Sequence, residues 1–261
     1  MGQEGEFLKS LFIHFQNQKK INMKKFLLML MFVPLLGLAQ TKNVSHTLRV
    51  FPMKGKATDL DKAITAHVAK FHTTEKRWRI FEIQTGPDAG GLQINEGPMT
   101  WDEFNNQPKN SDAHKADWDK TVDPLIEKTT SIGYSTYLEE YSTVKLTDYS
   151  DNIVLTHMMI NPGMVGSTYT LLQKMKKAWA LGNESMAVYG SFFAGDPQIV
   201  ISRRLKTGLK ELDPAFVKSM PDRYREANGS DSWAEYQAEY NKAIGRRWSE
   251  MLVYRADLSS K

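Results

Sequence analysis

Three side chains of this sequence have the types needed for acid–base chemistry and fall in runs of β-forming residues: His157, Glu82 and Tyr189. A histidine with an ordinary pKa of about 6.5 can act as a general base, and a neighbouring carboxylate can orient it. Alternate side chains of a strand share a face. On that rule Ile153, Leu155, His157 and Met159 form one face of the run 152–160. Ile80, Glu82 and Gln84 form a face of 77–85, aligned here with Tyr189, Ser191 and Phe193 in the second half of the chain. Gln93 and Asn95 share a face of the run between them. Polar strand residues should point away from any covering helices. The expected catalytic group is therefore His157, Glu82 and Tyr189, with Gln84, Gln93, Asn95 and Ser191 binding a ligand. The competing reading is a hydrogen-bonded core histidine with Glu82 in solvent. A shift of one residue in register would reverse every one of these faces.

Other chemistries are poorly supported. There is no cysteine, which removes disulfides, thiolate metal sites and a thiol nucleophile. No phosphate-binding glycine loop, nucleophile elbow or zinc-protease motif is present. The pairs Asp59/Asp61 and Asp117/Asp119 read as helix caps and solvated helix faces, and His67 reads as a residue bordering an apolar helix face. No metal ligand and no cofactor is assigned from the sequence.

The elements that must position these residues occur in the same order twice. The first pass predicts a strand over 47–53, a helix over 59–72 capped by Thr58, strands over 77–85 and 92–96, and a helical turn at 101–104. It ends with a helix over 113–129, kinked at Pro124, and a strand over 135–146. The second pass predicts a strand over 152–160 and a helix from Ser167 to Leu181, followed by strands over 185–193 and 198–204. A short helix at 215–220, a long helix over 232–248 and a strand over 250–258 complete it. Both passes read β-α-β-β-α-β, and both hairpins turn on a glycine-led loop, Gly86-Pro87-Asp88 and Gly195-Asp196-Pro197. The expected fold class is α+β, with one repeat over 40–150 and a second over 151–261.

This repeated order resembles the ferredoxin-like α/β-barrel superfamily, which includes antibiotic-biosynthesis-type monooxygenases. The resemblance covers about residues 47–258 and rests on element order. It implies two ferredoxin-like units packed sheet to sheet, with a cavity in the barrel or between each sheet and its helices. Some relatives use such a cavity for cofactor-independent oxygenation and some for haem. Tandem haem relatives ligate iron through a histidine on a helix of the second unit. Here the only histidine beyond residue 150 is His157, placed on a strand, and no Asn, Trp and His set like that of haem-degrading relatives is found. The expectation is a protein that binds a small apolar ligand or a protein partner, with a homo-oligomer left open. The alternative is a cofactor-independent monooxygenase-like enzyme using His157 as base.

The N-terminal region predicts export. Met23-Lys24-Lys25 leads into an apolar run of 14 residues, 26–39, with small residues at Gly37 and Ala39. A basic start, a short apolar run and a small-residue end describe a secretory signal peptide over 23–39, with 1–22 an upstream extension. The run is shorter than the roughly 20 residues of a comfortable transmembrane helix. Membrane contact is therefore expected only before cleavage, and the destination is secreted or periplasmic. Residues 1–39 hold five basic and two acidic residues, so the remainder is almost neutral, with 29 basic and 28 acidic. That balance offers no footprint for nucleic acid. N-terminal sequencing of exported material should begin at Gln40; material beginning at Met1 would contradict cleavage between Ala39 and Gln40.

Overall fold

The computed structural model describes residues 41–73, 76–192 and 197–261. The signal-peptide region lies outside the described residues, as does the tip of the second hairpin with Phe193. The first half contains β1 (Val44–Pro52), α1 (Ala57–Phe71), β2 (Trp78–Ile83), β3 (Leu92–Met99), α2 (Trp101–Asn105), α3 (Asp112–Thr121) and β4 (Ile126–Tyr137). The second contains β5 (Asn152–Ile160), α4 (Val165–Leu181), β6 (Met186–Ser191), β7 (Gln198–Arg204), α5 (Met220–Asn228), α6 (Ser232–Ala243) and β8 (Ile244–Tyr254). A constant offset of 108 residues carries Val44, Ala57 and Trp78 onto Asn152, Val165 and Met186, the starts of the corresponding elements.

All neighbouring strands are antiparallel, and the order β1-β3-β2-β8-β5-β7-β6-β4 closes into a barrel. Each half contributes a four-stranded sheet. The halves are stitched by two short pairings, β2 with β8 over Phe81–Tyr254 to Ile83–Leu252, and β4 with β6 at Thr136–Gly190 and Tyr137–Tyr189. Closure leaves no free sheet edge among the described strands.

The cores explain which strand face turns inward. On β1, Val44, Leu48 and Val50 turn outward, and Leu48 and Val50 pack beneath α1 with Leu60, Ile64 and Val68. In the second half Met158, Ile160, Val188, Ile199 and Ile201 pack beneath α4 with Leu171, Leu172 and Trp179. The apolar face of each sheet is thus spent on its own helices. The polar alternates Ser45, Thr47 and Arg49 are left for the barrel interior. A third cluster, Phe81, Ile83, Ile153, Leu155 and Leu252, seals the β2–β8–β5 seam.

Several predicted boundaries shift, for identifiable reasons. The helix expected over 113–129 stops at Thr121, because Pro124 forces a 3-10 turn at Asp123–Leu125 and releases Ile126 into β4. The fourth strand therefore covers Ile126–Tyr137 instead of 135–146. The β-prone residues after it fringe β6: the Leu138 and Thr143 amides donate to the Val188 and Met186 carbonyls, each at 2.8 Å. At the other end the long helix stops at Ala243 and β8 starts at Ile244, so Trp248 belongs to a strand. The short helix expected at 215–220 instead begins at Met220, with Pro221 in its first turn and the Ser219 hydroxyl accepting from the Asp222 amide. Neither Thr58 nor Ser167 caps its helix; α1 and α4 begin earlier, after Lys56 and Met164.

Candidate functional site

Inward-facing side chains from all eight strands enclose a cavity of about 580 Å³ inside the barrel, within the range of small-molecule sites. His157, Tyr189, Gln93, Asn95 and Ser191 all line it. Glu82 and Gln84 do not. On β2 the inward residues are Arg79 and Phe81, whereas Glu82 points to the helix side and accepts from Arg255 Nη1 at 3.2 Å. Arg255 also donates to Asp61 of α1 at 2.9 Å. Gln84 lies beyond the end of β2, exposed, with its amide donating to the Met251 carbonyl at 2.8 Å. The error is one of register. Ladder pairing puts Phe81 opposite Gln93, and Gln93 opposite Arg49; in the second half Tyr189 lies opposite Val200, and Val200 opposite His157. Phe81, not Ile80, is therefore the counterpart of Tyr189, and Arg49 is the counterpart of His157.

The carboxylate beside His157 is Glu250, supplied by β8. Its Oε1 stands 2.6 Å from His157 Nε2, off the line of a good hydrogen bond, so the contact is chiefly electrostatic. The imidazole also stacks on the Trp248 indole, with centroids 4.5 Å apart and planes 4° from parallel. Arg49 grips the same carboxylate through two N–H groups, Nη2 to Oε1 at 2.7 Å and Nη1 to Oε2 at 3.1 Å. Its other donors reach Gln93 Oε1 from Nε and Nη2, at 3.1 and 2.7 Å, and Asp88 Oδ2 from Nη1 at 2.7 Å. All five guanidinium N–H groups are thus used. Burial alone would raise the Glu250 pKa, but the hydrogen bonds and charge of Arg49 and the close approach of His157 outweigh it and hold the group below the usual carboxylate range.

The β2–β3 hairpin brings Asp88 to this network by close approach. Gly86 has φ +89°, and a Cβ placed there would lie 2.9 Å from Glu250 Cβ, so the position admits no side chain. Neither Arg49 nor Glu250 was singled out from the sequence. The available signal was parity: Trp248 and Glu250 are two apart on β8, and Arg49 alternates with Leu48 and Val50 on β1.

The rest of the cavity wall is cationic and aromatic. Arg204 donates to the backbone carbonyls of Lys145, Leu146 and Asp148 at 2.8, 3.0 and 2.5 Å, and to the Tyr189 hydroxyl at 3.1 Å. It thereby ties down the loop after β4, whose Leu146, Tyr149 and Ser150 line the cavity. Burial pushes the Tyr189 phenol up, with Arg204 opposing, so the hydroxyl stays protonated at neutral pH and can donate to a ligand. The Arg79 guanidinium lies 3.9 Å from the Tyr149 ring centroid and 4.5 Å from that of Tyr254. Among the described residues no carboxylate pairs with Arg79 or Arg204.

A histidine-ligated haem does not fit these residues. His157 is carried into the barrel with Nε2 against Glu250, and α4, α5 and α6 contain no histidine. The space between the second sheet and its helices is filled by Met158, Leu171, Leu172 and Trp179.

The Arg49–Glu250 contact makes a pH prediction. Glu250 titrates lower when folded than when unfolded, so its contribution to stability is complete above the ordinary carboxylate pKa of 4.5 and is lost as pH falls through the folded value. Glu250→Gln leaves Arg49 and His157 facing a neutral group. It should lower stability at pH 7 by about 3–5 kcal/mol, the typical cost of breaking a buried pair. Urea denaturation should show that deficit shrinking below pH 4; a deficit that does not depend on pH would contradict this assignment.

No family model and no curated protein sequence matches the chain. Among solved structures it is similar to an anthrone oxidase-like protein, at 11% identity over 82% of this chain and 92% of that one, with a TM-score of 0.50. It is also similar to a mutant chlorite dismutase from Candidatus Nitrospira defluvii, at 7% identity over 85% and 94% of the two chains, with a TM-score of 0.52. A third is an uncharacterized ferredoxin fold protein related to antibiotic biosynthesis monooxygenases from Listeria monocytogenes 4b F2365, at 6% identity over 82% and 95%, TM-score 0.39. At these identities the likeness is one of fold: a closed eight-stranded α/β barrel built from two βαββαβ units in one chain.

Proposed function

We propose that the protein is exported and binds a small molecule inside the barrel, and that the ligand is a largely apolar, flat compound carrying one anionic group. The observation that carries this reading is the cavity wall. Phe81, Tyr149, Tyr189 and Trp248 offer aromatic surface, while Arg79 and Arg204 face the same space with no carboxylate among the described residues to neutralise them. Stacking surface beside an unneutralised guanidinium favours an aromatic anion over a neutral compound. Enclosure by eight strands favours a small molecule over a protein partner. Export rests on the sequence of residues 23–39.

The test compares two fluorescent probes of similar shape, anionic 8-anilinonaphthalene-1-sulfonate and neutral N-phenyl-1-naphthylamine. Arg79→Met should weaken the anionic probe about tenfold, the effect of losing roughly 1.4 kcal/mol from a charged contact. The neutral probe should change by less than about twofold on the same scale. Equal losses for both probes would show that Arg79 supplies packing only, and no binding of either would remove the reading.

A second reading is supported by the His157–Glu250 contact at the cavity wall. A carboxylate can only accept, so the proton of a neutral His157 belongs on Nε2, leaving Nδ1 able to take a proton from a bound substrate. This is the arrangement needed by a cofactor-independent monooxygenase-like enzyme with His157 as base, now oriented by Glu250 and not by Glu82. Oxygen uptake with quinol-like or polyketide-like substrates should then vanish in His157→Ala while probe binding persists. An absence of uptake by the wild type across such a panel would leave binding as the sole role.

A further inference from the structure

Outside the barrel, on the helix side of the first sheet, three histidines meet. His67 comes from α1, His72 directly follows that helix, and His114 comes from the first turn of α3. His67, read from its spacing as a boundary residue, is 1% exposed; His72 is 2% and His114 9%. Their Nε2 atoms converge: His67 to His114 is 3.2 Å and His114 to His72 is 3.2 Å, and the cluster's ligand atoms all lie within 4.8 Å of one another. Two nitrogens bound at about 2.0–2.1 Å to one tetrahedral ion lie roughly 3.3 Å apart.

The outward nitrogens fix the tautomers. His67 Nδ1 lies 2.9 Å from Asp117 Oδ2, and His72 Nδ1 lies 2.7 Å from the Lys76 carbonyl oxygen. Both partners can only accept, so in the neutral rings both Nδ1 atoms carry the proton and both Nε2 atoms present a bare lone pair. A carboxylate on one ligating histidine and a backbone carbonyl on another are the usual outer partners of metal-bound imidazoles. His114 Nε2 faces both lone pairs and has at most one proton to share, while its own Nδ1 is buried with no hydrogen-bond partner. Protons alone leave this arrangement short of a positive charge at its centre. The rings are held in place by stacking of His72 on Trp78 at 3.6 Å and by the edge contact of His67 with Trp118 at 5.2 Å.

We infer that His67, His72 and His114 ligate a divalent transition-metal ion of the zinc class through their Nε2 atoms, with Asp117 and the Lys76 carbonyl orienting the first two rings. Three imidazoles and no thiolate suit Zn²⁺, Co²⁺, Ni²⁺ or Cu²⁺ and not Mg²⁺ or Ca²⁺. None of the three lines the barrel cavity. The ion would tie the end of α1 to the start of α3, beside Trp78 of β2, so the inference is independent of the ligand reading above.

The test uses protein expressed from the full chain without a histidine tag, stripped with chelator and dialysed against ZnCl₂ or CoCl₂. Wild type should retain about one equivalent of metal by elemental analysis, give a Co²⁺ ligand-field spectrum of tetrahedral type, and gain about 5 °C or more in Tm with Zn²⁺. His72→Gln and His114→Gln should each lose the metal and the zinc-dependent Tm gain, while remaining folded by circular dichroism. His46→Gln, which alters a histidine outside the cluster, should behave as wild type. Substoichiometric metal in folded wild type would overturn the inference. So would full retention by folded His72→Gln and His114→Gln. If either variant does not fold, the wild-type stoichiometry and Co²⁺ spectrum decide the question alone.

Discussion

Arg49 and Glu250 lie 201 residues apart in the chain and 2.7 Å apart in the barrel. Their pairing is the constraint on which the interior depends. Taking a guanidinium and a carboxylate out of water costs several kcal/mol per ion unless each finds partners for its whole surface. Here Arg49 spends every donor on Glu250, Gln93 and Asp88, and Glu250 also receives His157. Satisfying the pair needs β1, β3, the β2–β3 turn, β5 and β8 together. A cavity that is polar on this side is therefore a consequence of closure, and the pair would be intolerable in an open sheet-on-sheet sandwich with an apolar centre.

The two halves share this frame of elements but differ in the residues they turn inward. Equivalent inward positions carry Arg49 and His157, Gln93 and Val200, Phe81 and Tyr189. A symmetric interior would have repeated one charge twice. Instead the first half supplies the permanent cation and its amide partner, and the second supplies the titratable imidazole and the carboxylate between them. The outward faces stayed alike in kind, each a sheet of branched aliphatics under one long helix, because burial of apolar surface is tolerant of which aliphatic is used.

Strand alternation also separates the two sites argued here. Trp78 and Arg79 are neighbours on β2. Trp78 faces the helices and stacks on His72, whereas Arg79 faces the cavity against Tyr149 and Tyr254. One sheet thus holds a histidine cluster on its outer surface and a cationic aromatic cavity on its inner one, each assembled from residues that the other does not use.

Periodicity by itself determined the element order and its repetition, because helical and strand periods are local properties. It also brought His157, Tyr189, Gln93, Asn95 and Ser191 to the right face, since polar residues of a helix-covered sheet tend to turn away from the helices. Glu82 and Gln84 were misplaced because parity is set by pairing across strands: Gln93 fixes Phe81 opposite it, and nothing within 77–85 encodes that choice. The ends of α3 and α6 were misread because Pro124 and the pairing of Ile244 with Ile160 override a helical pattern that continues past them. Glu250 and the three histidines were beyond local reading for the same reason. Each acquires its meaning from partners between 42 and 201 residues away, and only the closed tertiary structure brings those partners within hydrogen-bonding distance.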